Sequence, residues 1–255
     1  MDAVGPHLAV EIVTLFPDAV RTQLAVGVVG RAIERGLVRV GAEDPRSHAQ
    51  DVHRTVDDRP YGGGPGMVLK VEPLATAIAA VAARLPAGSP RIYLSAQGRP
   101  FDQATARRLA ALPGFLLVAG RYEGVDERLI DEMVDEELSI GDFVLSGGEL
   151  AALVVVDATA RLLPGVLGDA ESAEQESFGA NGALLDWPHY TRPEEWRGRR
   201  VPDVLRGGDH AAIRRWRLKQ ALGRTAERRP ELMAGRDLTS EERVLLEEYR
   251  EEHES

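Results

Sequence analysis

Three short apolar runs in the N-terminal part of the chain narrow the possible folds most. They are Leu8–Phe16, Arg91–Ser95 and Phe115–Ala119, and each has the length of a buried β-strand. Other segments have the apolar spacing of helices, namely Leu74–Leu85, Asp102–Leu112 and Glu149–Leu163. Strands that alternate with helices in this way are typical of an α/β domain with a mainly parallel sheet.

Cysteine is absent from the 255 residues, which excludes disulfides, thiolate zinc sites and cysteine nucleophiles. The six histidines are scattered without the spacing of a helical metal motif, so we expect no dedicated metal site. The start MDAVGPHLAV is unlike a signal peptide, and apolar runs such as Ala151–Val156 are too short to cross a bilayer. We therefore expect a soluble, cytoplasmic protein of one large or two small domains.

Charge is distributed unevenly along the chain. The formal net charge is −10, but Arg192–Arg229 contains 12 Arg and Lys against 5 Asp and Glu, a local net charge of +7. The remainder of the chain therefore sums to −17. Salt screens charges beyond about 8–10 Å, so the local excess matters more to a polyanion than the total does. The basic segment predicts either a phosphate-binding surface or a solvated helical face.

The composition changes after residue 163. Pro164–Asp186 has no clear period and is rich in Gly, Ala, Ser and Glu, which predicts an inter-domain linker. Asp209 is placed to cap a helix that runs to about Leu222, where Gly223 is a stop signal. Thr239–Glu242 has the capping-box pattern that opens a last, acidic helix. The predicted organisation is an N-terminal domain over 1–163, a linker over 164–186 and a small helical domain over 187–255.

Glycine-bearing turns follow three strand-like segments, at Leu94–Gly98, Gly120–Gly124 and Leu145–Glu149. In open α/β sheets, ligands bind beyond the carboxyl ends of the strands, where glycine lets backbone groups approach the ligand closely. Each segment taken alone is compatible with an ordinary turn. The three together favour a site that wraps an adenosine or another nucleoside.

The familiar nucleotide motifs are missing. Neither G-x-x-x-x-G-K-[ST] nor a G-x-G-x-x-G after a strand occurs, so a P-loop and a dinucleotide fingerprint are unsupported. Gly62–Gly66 follows a polar run and predicts a flexible loop. Glu123–Asp142 holds nine carboxylates and one basic residue, which mostly predicts a solvated helix face. Ser139–Gly148 interleaves apolar and small residues and instead predicts a tight loop that lines a ligand.

Six longer motifs occur together in this chain and in the same order as in one known family. By these motifs the chain resembles the TrmD family of bacterial tRNA (guanine-N1)-methyltransferases, over about Val10–Leu232. The matching segments are Arg54–Met67 (RTVDDRPYGGGPGM), Gly120–Arg128 (GRYEGVDER), Ser139–Leu150 (SIGDFVLSGGEL), Pro164–Gly168 (PGVLG), His189–Pro193 (HYTRP) and Ile213–Gln220 (IRRWRLKQ).

The resemblance implies a SPOUT-type α/β domain with a deep trefoil knot and a mainly parallel sheet, and a small helical C-terminal domain. It implies a homodimer in which the partner's linker and C-terminal domain complete each active site. The implied reaction transfers a methyl group from S-adenosyl-L-methionine to N1 of the guanosine 3′ of the anticodon of tRNA (guanosine-37). The residues matched to binding of the methyl donor are Tyr93, Leu94, Ser95, Gln97, Gly98, Gly120, Tyr122, Glu123, Gly124, Ser139, Ile140, Gly141, Asp142, Phe143, Val144, Leu145, Gly147 and Gly148.

Two catalytic residues are also implied by the resemblance. Guanine N1 carries a proton at neutral pH, so a carboxylate must remove it before N1 can attack the methyl group. Negative charge then builds on O6, where an arginine would stabilise it. The arginine is Arg161, and the base is Glu176, where the family usually has aspartate. Rival bases in the same segment are Asp169, Glu171 and Glu174, and a solvated linker carboxylate is the alternative for all four.

The basic helix gains a role from the same resemblance. A subset of its cations would pair with tRNA phosphates, while a wet surface around a core Trp216 is the alternative; the candidates are Arg214, Arg215, Arg217 and Lys219. Family activity depends on Mg²⁺, for which Glu123 is a candidate contact. Ala96 and Ala151 stand where many members have proline, which would loosen a loop or a helix start.

Three other classes of function explain fewer features of the sequence. A SPOUT enzyme that methylates a ribose hydroxyl would leave the linker carboxylate unexplained. A non-catalytic RNA-binding module would leave the three cofactor-type turns without a purpose. A nucleotide-dependent dehydrogenase would need the dinucleotide fingerprint, which is absent. Calorimetry with S-adenosylhomocysteine against NAD separates these classes.

Overall fold

A computed structural model describes residues 7–168, 176–179 and 184–253. The chain divides into two compact units, Met1–Gly168 and Asp169–Ser255. The strands of the first unit are β1 Leu8–Val13, β2 Val38–Glu43, β3 Asp57–Asp58, β4 Val68–Leu69, β5 Arg91–Pro100, β6 Gly114–Ala119 and β7 Glu136–Ser139. Its helices are α1 Pro17–Leu24, α2 Gly27–Glu34, α3 Val71–Ala82, α4 Gln103–Ala110, α5 Glu127–Met133 and α6 Glu149–Ala160, with a 3-10 turn at Pro45–His48.

The first unit is built on a five-stranded sheet with the order β2-β1-β6-β5-β7. Every pairing in this sheet is parallel. The α/β class and the mainly parallel sheet predicted from the apolar runs are therefore confirmed. β3 and β4 form a separate antiparallel pair that flanks the glycine-rich Gly62–Gly66 segment.

Both faces of the sheet are covered by helices. Phe115 and Leu117 pack with α1, α2, α4 and α6, whereas Leu116 and Val118 pack with α3 and α5. Because successive side chains of a strand point to opposite faces, both faces of a doubly covered strand must be apolar. All six residues of β6 are buried, which explains why this strand is an unbroken apolar run.

Two helices of the first unit, α4 and α5, begin at aspartate caps. The carboxylate of Asp102 accepts a hydrogen bond from the Thr105 backbone N–H at 2.7 Å, and α4 begins at the next residue. Asp126 caps α5 in the same manner, through the Arg128 backbone N–H at 3.1 Å.

The acidic stretch Glu123–Asp142 is only partly the solvated helix that the sequence predicts. α5 occupies its middle, but Glu136–Ser139 is a strand at the edge of the sheet, with Leu138 buried. The carboxylate of Glu136 is 2.8 Å from guanidinium nitrogens of both Arg99 and Arg108. Glu136 is therefore held in this edge strand by two arginines, and the predicted solvated helix face does not extend to it.

The second unit contains a short hairpin and two helices among its described residues. They are β8 Glu195–Trp196, β9 Arg199–Arg200, α7 His210–Arg228 and α8 Ser240–His253, with 3-10 turns at Asp203–Leu205 and Pro230–Leu232. Its core is formed by Leu184, Ala221, Leu222, Leu245 and Leu246. The predicted capping box is confirmed, because Thr239 and Glu242 exchange two side chain–backbone hydrogen bonds of 2.8 and 3.1 Å.

Gly223 does not end the basic helix. Asp209 caps α7 as predicted, but the helix continues to Arg228 and Gly223 lies inside it. A Cβ at this position would run into the ring of Tyr249 from α8. Glycine here allows close packing between two helices, which explains why it is tolerated in a helix interior.

The two ends of the predicted linker segment pack within different units. Val166 joins the sheet core of the first unit, together with Leu163. Leu184 is buried in the helical core of the second unit, and the Leu185 backbone N–H donates to Thr225 Oγ1 at 2.9 Å. Much of the segment between Gly168 and Leu184 lies outside the described residues.

Candidate active site

The three glycine-bearing turns meet at one edge of the sheet. The first lies at the bulge inside β5, and the other two follow β6 and β7, the neighbours of β5 in the sheet order. Together they line a cavity of about 330 Å³, within the range of small-ligand sites. Sixteen of the eighteen residues matched to the methyl donor line this cavity, and the exceptions are Gly98 and Asp142.

Gly98 has a structural position instead. The register between β5 and β7 shifts between Leu94 and Arg99, so the chain bulges and then pairs with β7 again. A Cβ on Gly98 would lie 2.5 Å from the backbone nitrogen of Leu138. Only glycine allows β5 to pass so close to β7, which fixes the loop that follows Leu94. Asp142 is exposed at the rim of its loop.

The turn after β6 is held by backbone contacts with the start of α6. The Gly148 N–H donates to the Gly120 carbonyl at 2.8 Å. A Cβ on Gly148 would lie 2.7 Å from the Ala119 Cα, and one on Gly120 would lie 2.9 Å from the ring of Tyr93. The Tyr122 backbone has a φ of 63°, a left-handed conformation that residues other than glycine rarely adopt. Backbone rather than side-chain atoms therefore form much of this wall.

The turn after β7 presents apolar side chains to solvent. Ser139 Oγ is 3.2 Å from both the N–H and the carbonyl of Gly141, and Gly141 has a φ of 147°. The ring of Phe143 folds back over Gly141. Phe143 is 55% and Val144 is 93% exposed, so this wall of the cavity offers apolar surface.

A buried polar network lies behind the cavity, and sequence reasoning missed it. Glu149 is 7% exposed and accepts hydrogen bonds from Arg121 Nε at 3.0 Å and Thr14 Oγ1 at 2.8 Å. The Arg121 guanidinium also lies over the ring of Phe16, 4.5 Å from its centroid. Arg121 lines the cavity, so this network ties a cavity wall to the end of β1. Arg121 and Glu149 stand inside the matched motifs, which is the signal that could have singled them out.

Tyr93 is the buried titratable group of the site. Burial, together with the carboxylates of Glu137 and Glu127, raises the pKa of its hydroxyl. The phenol therefore stays neutral at physiological pH and packs against Gly120. Apolar residues that sequence reasoning did not assign complete the lining, namely Ala96, Val125, Ile130, Leu138 and Ala151, beside the acidic Glu127.

The two residues matched to catalysis lie in different units. Arg161 follows the last residue of α6, and its backbone N–H donates to the Asp157 carbonyl at 3.2 Å. Glu176 belongs to the second unit, where its carbonyl accepts from the Gly179 N–H at 2.9 Å. The rival carboxylates Asp169, Glu171 and Glu174 lie outside the described residues.

The four basic residues matched to tRNA binding have different surroundings on α7. Arg215 forms a bidentate ion pair with Glu248 of α8, with N···O distances of 2.6 and 2.9 Å. Lys219 is buried and pairs with Glu252 at 2.5 Å. Arg217 lies over the ring of Trp187 at 4.7 Å. Arg214 is exposed and has no ion-pair partner within the described part of the chain.

Within the described residues, no group of three or more His, Asp or Glu is arranged to hold a metal ion. None of the helices over the same residues is long and apolar enough to span a membrane.

A parallel sheet with glycine turns around a cavity at its carboxyl edge defines the class of α/β proteins that bind their ligands beyond the carboxyl ends of the strands. The family model described as tRNA (Guanine-1)-methyltransferase TrmD matches residues 8–235, so the chain belongs to this family. Relatives named tRNA (guanine-N(1)-)-methyltransferase include one from Methylococcus capsulatus, 62% identical over 96% of both chains. Another, from Halorhodospira halophila, is 57% identical over 96% of this chain and 92% of its own.

Proposed function

We propose that this protein is a methyltransferase that moves a methyl group from S-adenosyl-L-methionine to N1 of the guanosine 3′ of the anticodon in tRNA. The observation that carries the proposal is the family match over residues 8–235, which spans the cavity, Arg161, Glu176 and the basic helix α7. A cytoplasmic location is consistent with tRNA as the substrate.

The cavity fits the methyl donor in size and in chemistry. Its volume of about 330 Å³ suits a nucleoside with a short amino-acid tail. The backbone of Gly120–Gly124 and Ser139–Gly148 offers donors and acceptors to an adenosine, and apolar side chains such as Ile140 and Leu145 can hold its rings. Bound there, S-adenosylmethionine supplies an electrophilic sulfonium methyl group.

The chain's own residues must prepare the guanine. The Glu176 carboxylate takes the N1 proton, which leaves a lone pair on N1 for in-line attack on the methyl group. The N1–methyl bond would form as the sulfur–methyl bond breaks, with S-adenosylhomocysteine as the leaving group. The guanidinium of Arg161 donates to O6 and stabilises the charge that builds there as the proton leaves. Because the methyl donor is already activated, positioning and electrostatics supply most of the acceleration.

The trefoil knot is supported by the family match, which covers the whole of the first unit's sheet. The dimer is supported by one surface feature as well. Leu150 and Val154, one helical turn apart on α6, are 59% and 46% exposed, an apolar stripe that suits a homodimer. We therefore propose a trefoil knot and a dimer with shared active sites.

The cavity offers fewer groups to a magnesium ion than to the methyl donor. Glu123 lines the cavity, but the described residues around it do not form a three-ligand cluster. A magnesium ion at this site would take Glu123 as one ligand and complete its octahedral shell largely with water.

Transfer of a labelled methyl group to two tRNA transcripts tests the proposal. One transcript has guanosine 3′ of the anticodon, and the matched control has adenosine there. We expect label on the first transcript alone, mapped to guanine N1. Equal label on both would move the target elsewhere in tRNA. Absence of label on both, when S-adenosylhomocysteine binding is measurable, would refute the catalytic assignment.

A further inference from the structure

The hairpin formed by β8 and β9 is fully exposed. Glu195 and Trp196 pair with Arg200 and Arg199, and Arg197 and Gly198 form the turn with φ values of 54° and 77°. Two successive positive φ angles suit a two-residue hairpin turn. All residues from 189 to 200 are exposed, so the conformation is set locally and the side chains are presented to solvent.

Trp196 at the end of this hairpin differs from the other tryptophans of the second unit. It is 60% exposed. Trp187 and Trp216, the latter a residue of α7, are both partly buried. The Arg197 guanidinium lies over its ring at 4.6 Å from the centroid. One face of the indole is thus matched with a cation, and a large aromatic surface stays in water.

Some of the arginines around Trp196 have carboxylate partners and others do not. Arg200 pairs with Glu195 at 2.9 Å, and Arg206 pairs with Glu194 at 2.9 Å. Among the residues that the structure describes, the other three arginines of the segment have no carboxylate partner; they are Arg192, Arg197 and Arg199. Uncompensated arginines beside an exposed indole are the combination that binds an unpaired nucleotide, with the base on the ring and the phosphates on the guanidinium groups.

We propose that the 192–200 hairpin is a second tRNA contact, in which Trp196 stacks on an unpaired base and Arg197 and Arg199 pair with the flanking phosphates. This inference rests on the proposed function, because tRNA is the polyanion that the family assignment supplies. It is separate from the four basic residues of α7. The Val201 N–H donates to the Glu194 carbonyl at 2.9 Å and closes the base of the hairpin. Arg206 pairs with both Glu194 and Asp203, which ties the hairpin to the Asp203–Leu205 turn that precedes α7.

Binding of a fluorescent tRNA transcript with guanosine 3′ of the anticodon tests the contact. The variants are Trp196→Ala, Trp196→Phe and Arg199→Gln in the full-length protein. Matched controls from the same unit are Val244→Ala, an exposed apolar residue of α8, and Arg250→Gln, an exposed arginine of that helix. Thermal unfolding checks that each variant folds.

We expect Trp196→Ala to weaken tRNA binding by about 5- to 100-fold, the range for loss of one stacked base. Trp196→Phe should recover most of the loss because it keeps a π-face. Arg199→Gln should lower the slope of log K against log salt by about 0.7–0.9, the value of one phosphate contact. KM for tRNA should rise in Trp196→Ala and Arg199→Gln, while KM for S-adenosylmethionine stays unchanged in both.

Several outcomes would overturn the inference. Wild-type protein that methylates tRNA, with Trp196→Ala bound as tightly as Val244→Ala, would leave the proposed function intact and refute the hairpin contact. Loss of dimer in Trp196→Ala, without a change in tRNA affinity per dimer, would assign the hairpin to a second copy of the chain. Wild-type protein that neither binds nor methylates tRNA would refute the proposed function itself.

Discussion

Arg121 Nε lies 3.0 Å from Glu149 Oε2, and this contact joins the turn after β6 to the first residue of α6. Thr14 Oγ1 donates to the second oxygen of the same carboxylate at 2.8 Å. The side chain of Glu149 is 10% exposed and that of Arg121 is 27% exposed. A largely buried carboxylate thus joins the end of β1, a cavity wall and a helix start.

Removal of this carboxylate should be costly. Glu149→Ala leaves Arg121 and Thr14 without their acceptor, and loss of one partner of such a pair costs about 2–4 kcal/mol. We expect a lower free energy of unfolding and weaker S-adenosylhomocysteine binding. Urea denaturation and calorimetry measure the two effects. Glu149→Gln should keep the Thr14 bond and lose less, and the exposed Glu34→Ala is the control. Equal stability of all three variants would contradict the role of the network.

Gly98→Ala tests the close approach of β5 to β7. The added Cβ would lie 2.5 Å from the Leu138 backbone nitrogen, which cannot move without distortion of the sheet. We expect a lower melting temperature and at least about tenfold weaker binding of S-adenosylhomocysteine, because the loop after Leu94 would shift. Gly168→Ala is the control, since a Cβ there has nothing within 4 Å. Unchanged binding by Gly98→Ala would show that the crossing does not position the cavity.

Sequence patterns predict the centre of this sheet better than its edges. The apolar runs predict β1, β5 and β6, because strands covered on both faces are apolar throughout. No such run marks β2 (Val38–Glu43) or β7 (Glu136–Ser139). They are the two edge strands, and their half-exposed positions carry arginine and glutamate. An edge strand of four charged and apolar residues has no periodicity that separates it from a helix end.

At the candidate site, the sequence predicts the turns but not the contacts between residues that are far apart in the chain. Glycine turns are local, so the loops that line the cavity could be located from the sequence. The Thr14–Glu149 bond joins residues 135 positions apart, which no local pattern can reveal. Gly223 illustrates the opposite error, because a residue that looks like a helix stop is explained by Tyr249 on another helix.

The basic residues of α7 should contribute unequally to tRNA binding. Arg214→Gln should weaken binding and lower the salt slope by about 0.7–0.9, because this cation is exposed and has no ion-pair partner in the described residues. Arg215→Gln should have a smaller effect on binding, since Glu248 already neutralises Arg215. Fluorescence anisotropy across a salt series measures both. A larger effect for Arg215 would mean that its ion pair opens on the tRNA.

Gly223→Ala should destabilise the helical unit even though alanine is the better helix former. The helix gains about 0.5–1 kcal/mol, but the methyl group would overlap the Tyr249 ring, and overpacking costs about 1–3 kcal/mol. We expect a net loss of stability by urea denaturation. In a Tyr249→Ala background the overlap disappears, so Gly223→Ala should become neutral or stabilising there. The same loss in both backgrounds would place the strain elsewhere.

The identity of the carboxylate at position 176 gives a direct test of the proposed base. Glu176→Asp, the residue usual in the family, keeps a carboxylate and moves it by about 1.5 Å, one C–C bond, so we expect kcat to change less than about tenfold. Glu176→Gln cannot accept the N1 proton, and kcat should fall about 10²- to 10⁴-fold while S-adenosylhomocysteine binding is kept. Single-turnover rates with saturating tRNA and methyl donor distinguish the two, because only the glutamine variant lacks a group that can accept the N1 proton. Glu174→Gln is the matched control, and a large loss there with full activity in Glu176→Gln would transfer the role of base to Glu174.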